Sequence, residues 1–198
     1  MDRIFSYQNK LSKNGFVIIG IFLEILKEWF SKNDTQFKYN SDPSKSKLVI
    51  EPSYEFKPEL CQQRPGLFIK RGPIAPKGIG RSGTDDLLRY KEDASKEYLI
   101  LSRSNILVMC ISSLPGEAEL LSWESCQLLI AMAPILKRDY NFIIFNVEQI
   151  GELNKMDEYK EFWLVPISVS LGYAEPWRIK ELTPLLNQVL VNTFTKDQ

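Results

Sequence analysis

The chain has 198 residues, 44% hydrophobic and 12% aromatic, with 25 basic and 25 acidic residues, no histidine and three cysteines. That length suits one domain with long loops, and a formal net charge of zero excludes global basicity, so any nucleic-acid contact must rest on a local patch. Without histidine the chain lacks the commonest general base and the Ser–His and Cys–His nucleophile pairs, and Cys61, Cys110 and Cys126 form no CxxC pair of a zinc site or disulfide framework.

The apolar run at 16–23 (FVIIGIFL) is far short of the roughly 20 residues a membrane span needs. It lacks a small-residue cleavage site, and Glu24, Lys27, Glu28 and Lys32 follow it, so it reads as an amphipathic helix of a soluble protein. The spacing of Ile18, Phe22, Ile25, Leu26 and Trp29 predicts a helix from an N-cap at Asn14 to about Lys32. Residues 33–63 read as a long loop, polar and turn-rich over 33–47, with a short strand at 48–50 and a further piece at 53–57; Pro58 and Pro65 bracket a linker. Residues 67–70 form a short strand. Residues 71–96 then read as a second long loop, rich in glycine, proline and charge.

Residues 98–112 (YLILSRSNILVMCIS) are sheet, with SRSN at 102–105 either a hairpin turn or the exposed middle of one strand. Ser113, Leu114 and Pro115 mark a helix start, with Ser113 as the cap and Glu117 and Glu119 complementing the dipole. Leu121, Ser125, Leu128, Leu129, Met132 and Leu136 give its buried stripe, and Lys137 and Arg138 suit its C-terminal end. Residues 141–150 read as a strand and 151–160 as a polar connection. The alternation of Trp163, Val165, Ile167, Val169 and Leu171 is a half-buried strand. From Pro176 the tail reads as a turn and a short helical stretch through Val189 and Leu190. Strands that follow one another without intervening helices favour antiparallel pairing. The expectation is one α+β domain over 1–198, with a mixed or antiparallel sheet, two main helices packed on one face, long loops at 33–63 and 71–96 and a C-terminal extension at 173–198.

The hexamer GIGRSG at 78–83 fits the dinucleotide-binding pattern G-x-G-x-x-G. That site needs a strand ending at the first glycine and a helix opening at the third. Here the strand ends near Lys70, and Gly72, Pro73 and Pro76 intervene, while a helix over 85–90 would be short. No Walker A or G-x-S-x-G pattern occurs, and the adjacent acids at 85–86, 92–93 and 157–158 read as solvated. No catalytic, cofactor-binding or metal-binding residue is assigned.

What stands out instead is a basic stretch, Arg64, Lys70, Arg71, Lys77 and Arg81, with no acid between Glu59 and Asp85 and with Phe68 beside it. It reads as a solvated loop, a nucleic-acid contact or a proline-stiffened docking arm. Trp29, Trp123 and Trp163 read as core residues. Trp177 and Arg178, in AEPWRIKEL, have the composition of an interface centre. Cys110 and Cys126 lie in apolar runs and read as reduced core thiols of a cytoplasmic protein.

In this order the elements resemble the tail terminator and neck (head-to-tail connector) proteins of long-tailed bacteriophages. The carrying segments are the helix at 15–32, RPGLFIKRG at 64–72, and residues 98–112, 115–138, 141–150 and 160–172. The resemblance is one of pattern and covers most of the chain, with no diagnostic motif; 33–63, 71–96 and the tail from 173 are longer than in the smallest members. It implies a virion structural protein without catalysis, assembled in the host cytoplasm into a ring, commonly hexameric, that caps the tail tube. Its partners would be other copies, the tail tube or sheath, and a head-closure or adaptor neck protein, with DNA passing through the lumen and no membrane. The interface residues would be Arg64, Phe68, Lys70, Arg71, Lys77, Arg81, Trp177 and Arg178. The alternatives are a nucleotide- or nucleic-acid-binding enzyme built on 66–83, or an adaptor of another assembly.

Overall fold

A computed structural model describes residues 15–32, 35–77, 86–90 and 95–180, with side chains over 15–32, 35–76 and 101–174. Helix α1 is Gly15–Lys32. Strand β1 (Val49–Pro52), a 3-10 turn at Ser53–Glu55 and the short helix α2 (Pro58–Cys61) come next. Then come β2 (Gly66–Lys77), β3 (Asp86–Tyr90), β4 (Ser95–Ser112), helix α3 (Pro115–Asp139), β5 (Phe142–Ile150), β6 (Asn154–Lys155) and β7 (Trp163–Lys180).

The described residues fall into two compact units. Unit 1 runs up to Ala75 and again over Ser102–Ala174; unit 2 comprises Pro76–Leu101 and the residues from Glu175 on. The sheet order is β1-β2-β4-β7-β5, with β3 beside β4 and β6 beside β7. β1 pairs with β2 in parallel, from Val49↔Gly66 to Pro52↔Ile69, and β5 pairs with β7 antiparallel, so the sheet is mixed.

In unit 1 each face of the sheet carries a core, and the alternation of side chains along a strand assigns each core residue to one of them. Leu67 and Ile69 of β2, Ile106, Val108 and Cys110 of β4, and Val165, Ile167, Val169 and Leu171 of β7 form one core. Ile18, Phe22, Ile25 and Leu26 of α1 and Leu121, Leu128, Leu129 and Leu136 of α3 pack into that same core. Both main helices therefore cover one face, as the α+β expectation has it. The opposite face carries a smaller core of Val49, Cys61, Phe68, Ile111 and Phe162. A register shift between Phe142 and Ile144 turns both Phe142 and Phe145 inward on β5.

Helix α3 begins after Leu114, whose side chain makes no cap bond. The cap is supplied by Ser112, two residues earlier: its Oγ accepts the Leu114 N–H at 3.1 Å and donates to Glu117 Oε2 at 2.6 Å. The expected cap, Ser113, is exposed. At the other end Asn141 takes φ 57°, the left-handed conformation that asparagine tolerates just past a helix.

Two expectations are corrected. The segment 71–96 is not one loop: its described parts belong to β2, β3 and β4, with β3 antiparallel to β4 from Asp86↔Leu99 to Tyr90↔Lys96. Of the two readings of 102–105, the middle of one strand holds: they lie within an 18-residue strand, with Arg103 and Asn105 exposed and Ser102 and Ser104 buried. Residues 176–180 continue β7 rather than opening a turn. The 33–63 segment also holds β1, the 3-10 turn and α2. The cap at Asn14 and the helical stretch near Val189 lie outside the described residues.

Candidate interaction surface

The residues expected at an interface divide sharply. Phe68 is fully buried, with its ring edge-on to Phe56 at a centroid distance of 5.0 Å. It is a core residue of the smaller cluster, not a contact residue. Arg64 is half-buried and already committed: its Nη1 donates to the Pro43 and Ser46 carbonyls, the latter at 3.0 Å. Those carbonyls belong to a tight turn in which the Ser44 amide and hydroxyl donate to Asp42 Oδ1 at 3.1 and 2.8 Å. Arg64 therefore ties the 42–46 turn to the root of β2.

Lys70 and Arg71 are exposed on β2. The Arg71 side chain lies over Gly15, where an added Cβ would make it shift. One residue on, a Cβ at Gly72 would stand 3.0 Å from the Asn105 carbonyl oxygen, so β2 and β4 run close together there. Lys77 ends β2, and Trp177 and Arg178 lie in the last part of β7; only their backbones are described. Arg81 and the hexamer 78–83 lie outside the described residues. Lys70 and Arg71 belong to unit 1, and Lys77, Trp177 and Arg178 to unit 2.

The frame of the glycine hexamer differs from expectation on both sides. β2 reaches Lys77, next to the first glycine, instead of ending near Lys70. Beyond the hexamer, Asp86–Tyr90 is a strand, not a helix. A dinucleotide site uses the N–H groups of a helix start after the third glycine, and strand β3 has none to offer.

The surface that sequence reasoning missed is on α3. Trp123, expected in the core, is 58% exposed, and Leu120 and Ile130 keep 49% and 58% of their surface in water. At about 100° per residue, Gly116, Leu120, Trp123, Gln127, Ile130 and Pro134 fall on the side of the helix opposite the Leu121–Leu136 stripe, and all six are exposed. Beside Trp123 lies a groove of about 500 Å³ floored by Ile150, Gly151, Leu153 and Val165. The signal was in the sequence: α3 carries two apolar stripes at helical spacing, and only one can face the sheet.

A second groove of about 450 Å³ runs between the 39–46 segment, β1, the 3-10 turn and Arg64. It contains Glu51 and Glu55. Burial raises the Glu51 carboxyl above the usual glutamate range, the nearby Lys27 ammonium at 3.7 Å opposes the shift, and Glu55 reinforces it. Burial likewise raises Glu124, whose Oε2 is enclosed without a hydrogen-bond partner. Among the described residues no three His, Cys, Asp or Glu gather into a metal-binding group. All three thiols are buried, and burial pushes Cys61 up to about 12 and Cys110 higher still. No described helix is long and apolar enough to cross a membrane.

No protein-family model matches the chain, and no curated protein matches its sequence.

Proposed function

We propose that this chain is a structural, non-catalytic subunit of a homo-oligomeric ring of the kind that terminates a phage tail tube and joins it to the head. The observation that carries the reading is the length of the sheet strands. β4 and β7 are 18 residues each and β2 is 12, against a usual five or six. Each of the three contributes residues to both units. Strands that outrun the core they build present backbone groups and side chains for another subunit, and ring subunits cover such edges against each other. The exposed Lys70 and Arg71, with Lys77, Arg81, Trp177 and Arg178, are the contact residues of this reading.

The partners are further copies, the tail tube or sheath, and a head-closure or adaptor neck protein. The setting is the virion, with assembly in the host cytoplasm and DNA passing through the lumen. Negative-stain images of the purified protein, alone and mixed with tail tubes, test it: rings are expected, commonly of six. Particles that never close into rings in either condition would remove the reading. Deleting 72–83 tests the arm separately, since assembly that survives the deletion intact leaves the arm no docking role.

The alternative is a nucleotide-binding enzyme built on 66–83, which rests on the glycine hexamer and the cations around it. Calorimetric titration with NAD, ATP and oligonucleotides decides it. Heat that disappears on substituting Gly78 and Gly80 favours the enzyme; a flat titration removes it. An adaptor of another assembly would bind a partner without forming rings.

A further inference from the structure

Helix α3 has two apolar faces, and the sheet accounts for one. A helix of a water-facing layer normally carries a single apolar stripe with a polar face opposite; one that is apolar on both sides is buried on both. The outer stripe is Leu120, Trp123, Gln127, Ile130 and Pro134, spaced three, four, three and four residues apart. That is the a/d repeat of a helix that pairs with another helix, and Gln127 is its single polar member.

We infer that the outward face of α3 is the contact between two copies of this chain, packed antiparallel about a two-fold axis. The choice of occupant comes from charge. In the first half of α3, Glu117 is held by Ser112 and the Glu124 carboxyl is partly buried, which leaves Glu119 as the exposed acid, and the end carries the exposed Lys137 and Arg138. Antiparallel pairing sets the acidic half of one helix against the basic end of the other, at both ends of the contact. Parallel pairing sets like charges together and is disfavoured. Arg138 already pairs with Asp139, at 2.6 Å, which leaves Lys137 as the freer cation. Antiparallel packing also opposes the two helix dipoles. The groove beside Trp123 gives the partner's side chains room to interdigitate.

The size of the contact sets its strength. A 25-residue helix is about 37 Å long. Specific interfaces bury about 600–1,000 Å² per partner, and the single exposed stripe of one helix is a small contact on that scale. The dimer is therefore reversible and concentration-dependent. It uses the same surface on both copies, whereas a cyclic ring joins two different surfaces. The two-fold contact is thus independent of the ring reading, and an α3 variant can lose it while rings persist.

Sedimentation velocity of the full chain across the micromolar range tests it. The wild-type chain is expected to shift from monomer to a larger species with concentration, and Trp123→Lys with Ile130→Lys to weaken that shift at least tenfold. The substituted side chains are exposed, so circular dichroism should be unchanged; Trp123→Gln probes the same face more mildly should the lysine pair disturb folding. The orientation is tested by Glu119→Lys, which should weaken association, and by adding Lys137→Glu, which should restore it. A wild-type chain that stays monomeric at its highest soluble concentration overturns the inference. So does association that Trp123→Gln leaves untouched, or a shift that appears only when a different protein is added. No weakening by the glutamate reversal, or no recovery when the basic-end reversal is added, would overturn the antiparallel arrangement.

Discussion

Phe68 lies close in sequence to Arg64, Lys70 and Arg71, yet its side chain is fully buried where Lys70 and Arg71 are exposed. In a strand buried on both faces, Leu67, Phe68 and Ile69 each enter a core: the first and third meet the main helices, and Phe68 meets Cys61, Phe162 and Phe56. Those partners come from segments distant in sequence, so no local pattern announces them. The consequence is measurable. Phe68→Ala should cost about 3–5 kcal/mol, the usual range for a buried phenylalanine, read as a lower urea midpoint. A contact residue would instead lose partner binding with stability unchanged, and a midpoint within error of the wild type would return Phe68 to the surface. Arg64 shows the complementary case: a cation that reads as free in sequence is spent on two carbonyls of the 42–46 turn.

Among the elements, α3 was legible in its existence and its inner stripe, because a 3.6-residue period survives without knowing what it packs against. Which of its two stripes faces outward, and its cap, were not. Cap choice depends on the backbone path into the helix, and here that path leaves β4 at Ser112, whose hydroxyl reaches back to the Leu114 N–H. Ser112→Ala should therefore destabilise the protein by about 1 kcal/mol, the typical value of an N-cap side chain. Ser113→Ala, at an exposed position, should change stability by less than about 0.5 kcal/mol. Thermal melts of the two variants decide between the caps; equal losses would mean that Ser112 is not the cap. The strands were read too short for a related reason: Gly72, Pro73 and Pro76 look like breakers, yet β2 continues through them to Lys77. At Gly72 the missing side chain is what lets β2 approach the Asn105 carbonyl.

At the scale of the whole molecule, two half-buried carboxyls in different parts of unit 1 carry raised pKa values. Burial raises Glu51 and Glu124 above the ordinary 4.5, which means that their charged forms are costly in the folded state. As pH falls toward that value the folded chain takes up protons that the unfolded chain does not yet bind, so their contribution to stability rises on acidification and levels off below about 4.5. Asp42 and Asp139 act in the opposite sense. Hydrogen bonds, from Ser44 to Asp42 and from Arg138 to Asp139, lower their carboxyls below the ordinary 3.8, so their contribution is lost as pH falls beneath that value. Urea midpoints measured from pH 7 to pH 3 should show the first rise, and the double variant Glu51→Gln, Glu124→Gln should flatten it. A rise of the same size in that variant would assign it to other groups.

The sequence by itself determined the α+β class, the two main helices and their inner stripes, and the alternating strand at 163–171, because each of these is written in local periodicity. It also determined that no histidine-based chemistry is available to this chain. Only the tertiary structure decided which face of β2 Phe68 occupies, that Arg64 is a structural tie, that the charged stretch after Arg71 contains strand, and that Trp123 looks outward. Those are decisions of packing between segments far apart in the chain: a side chain is inside or outside according to what covers it, and periodicity fixes only the spacing of a stripe, not which stripe meets the sheet.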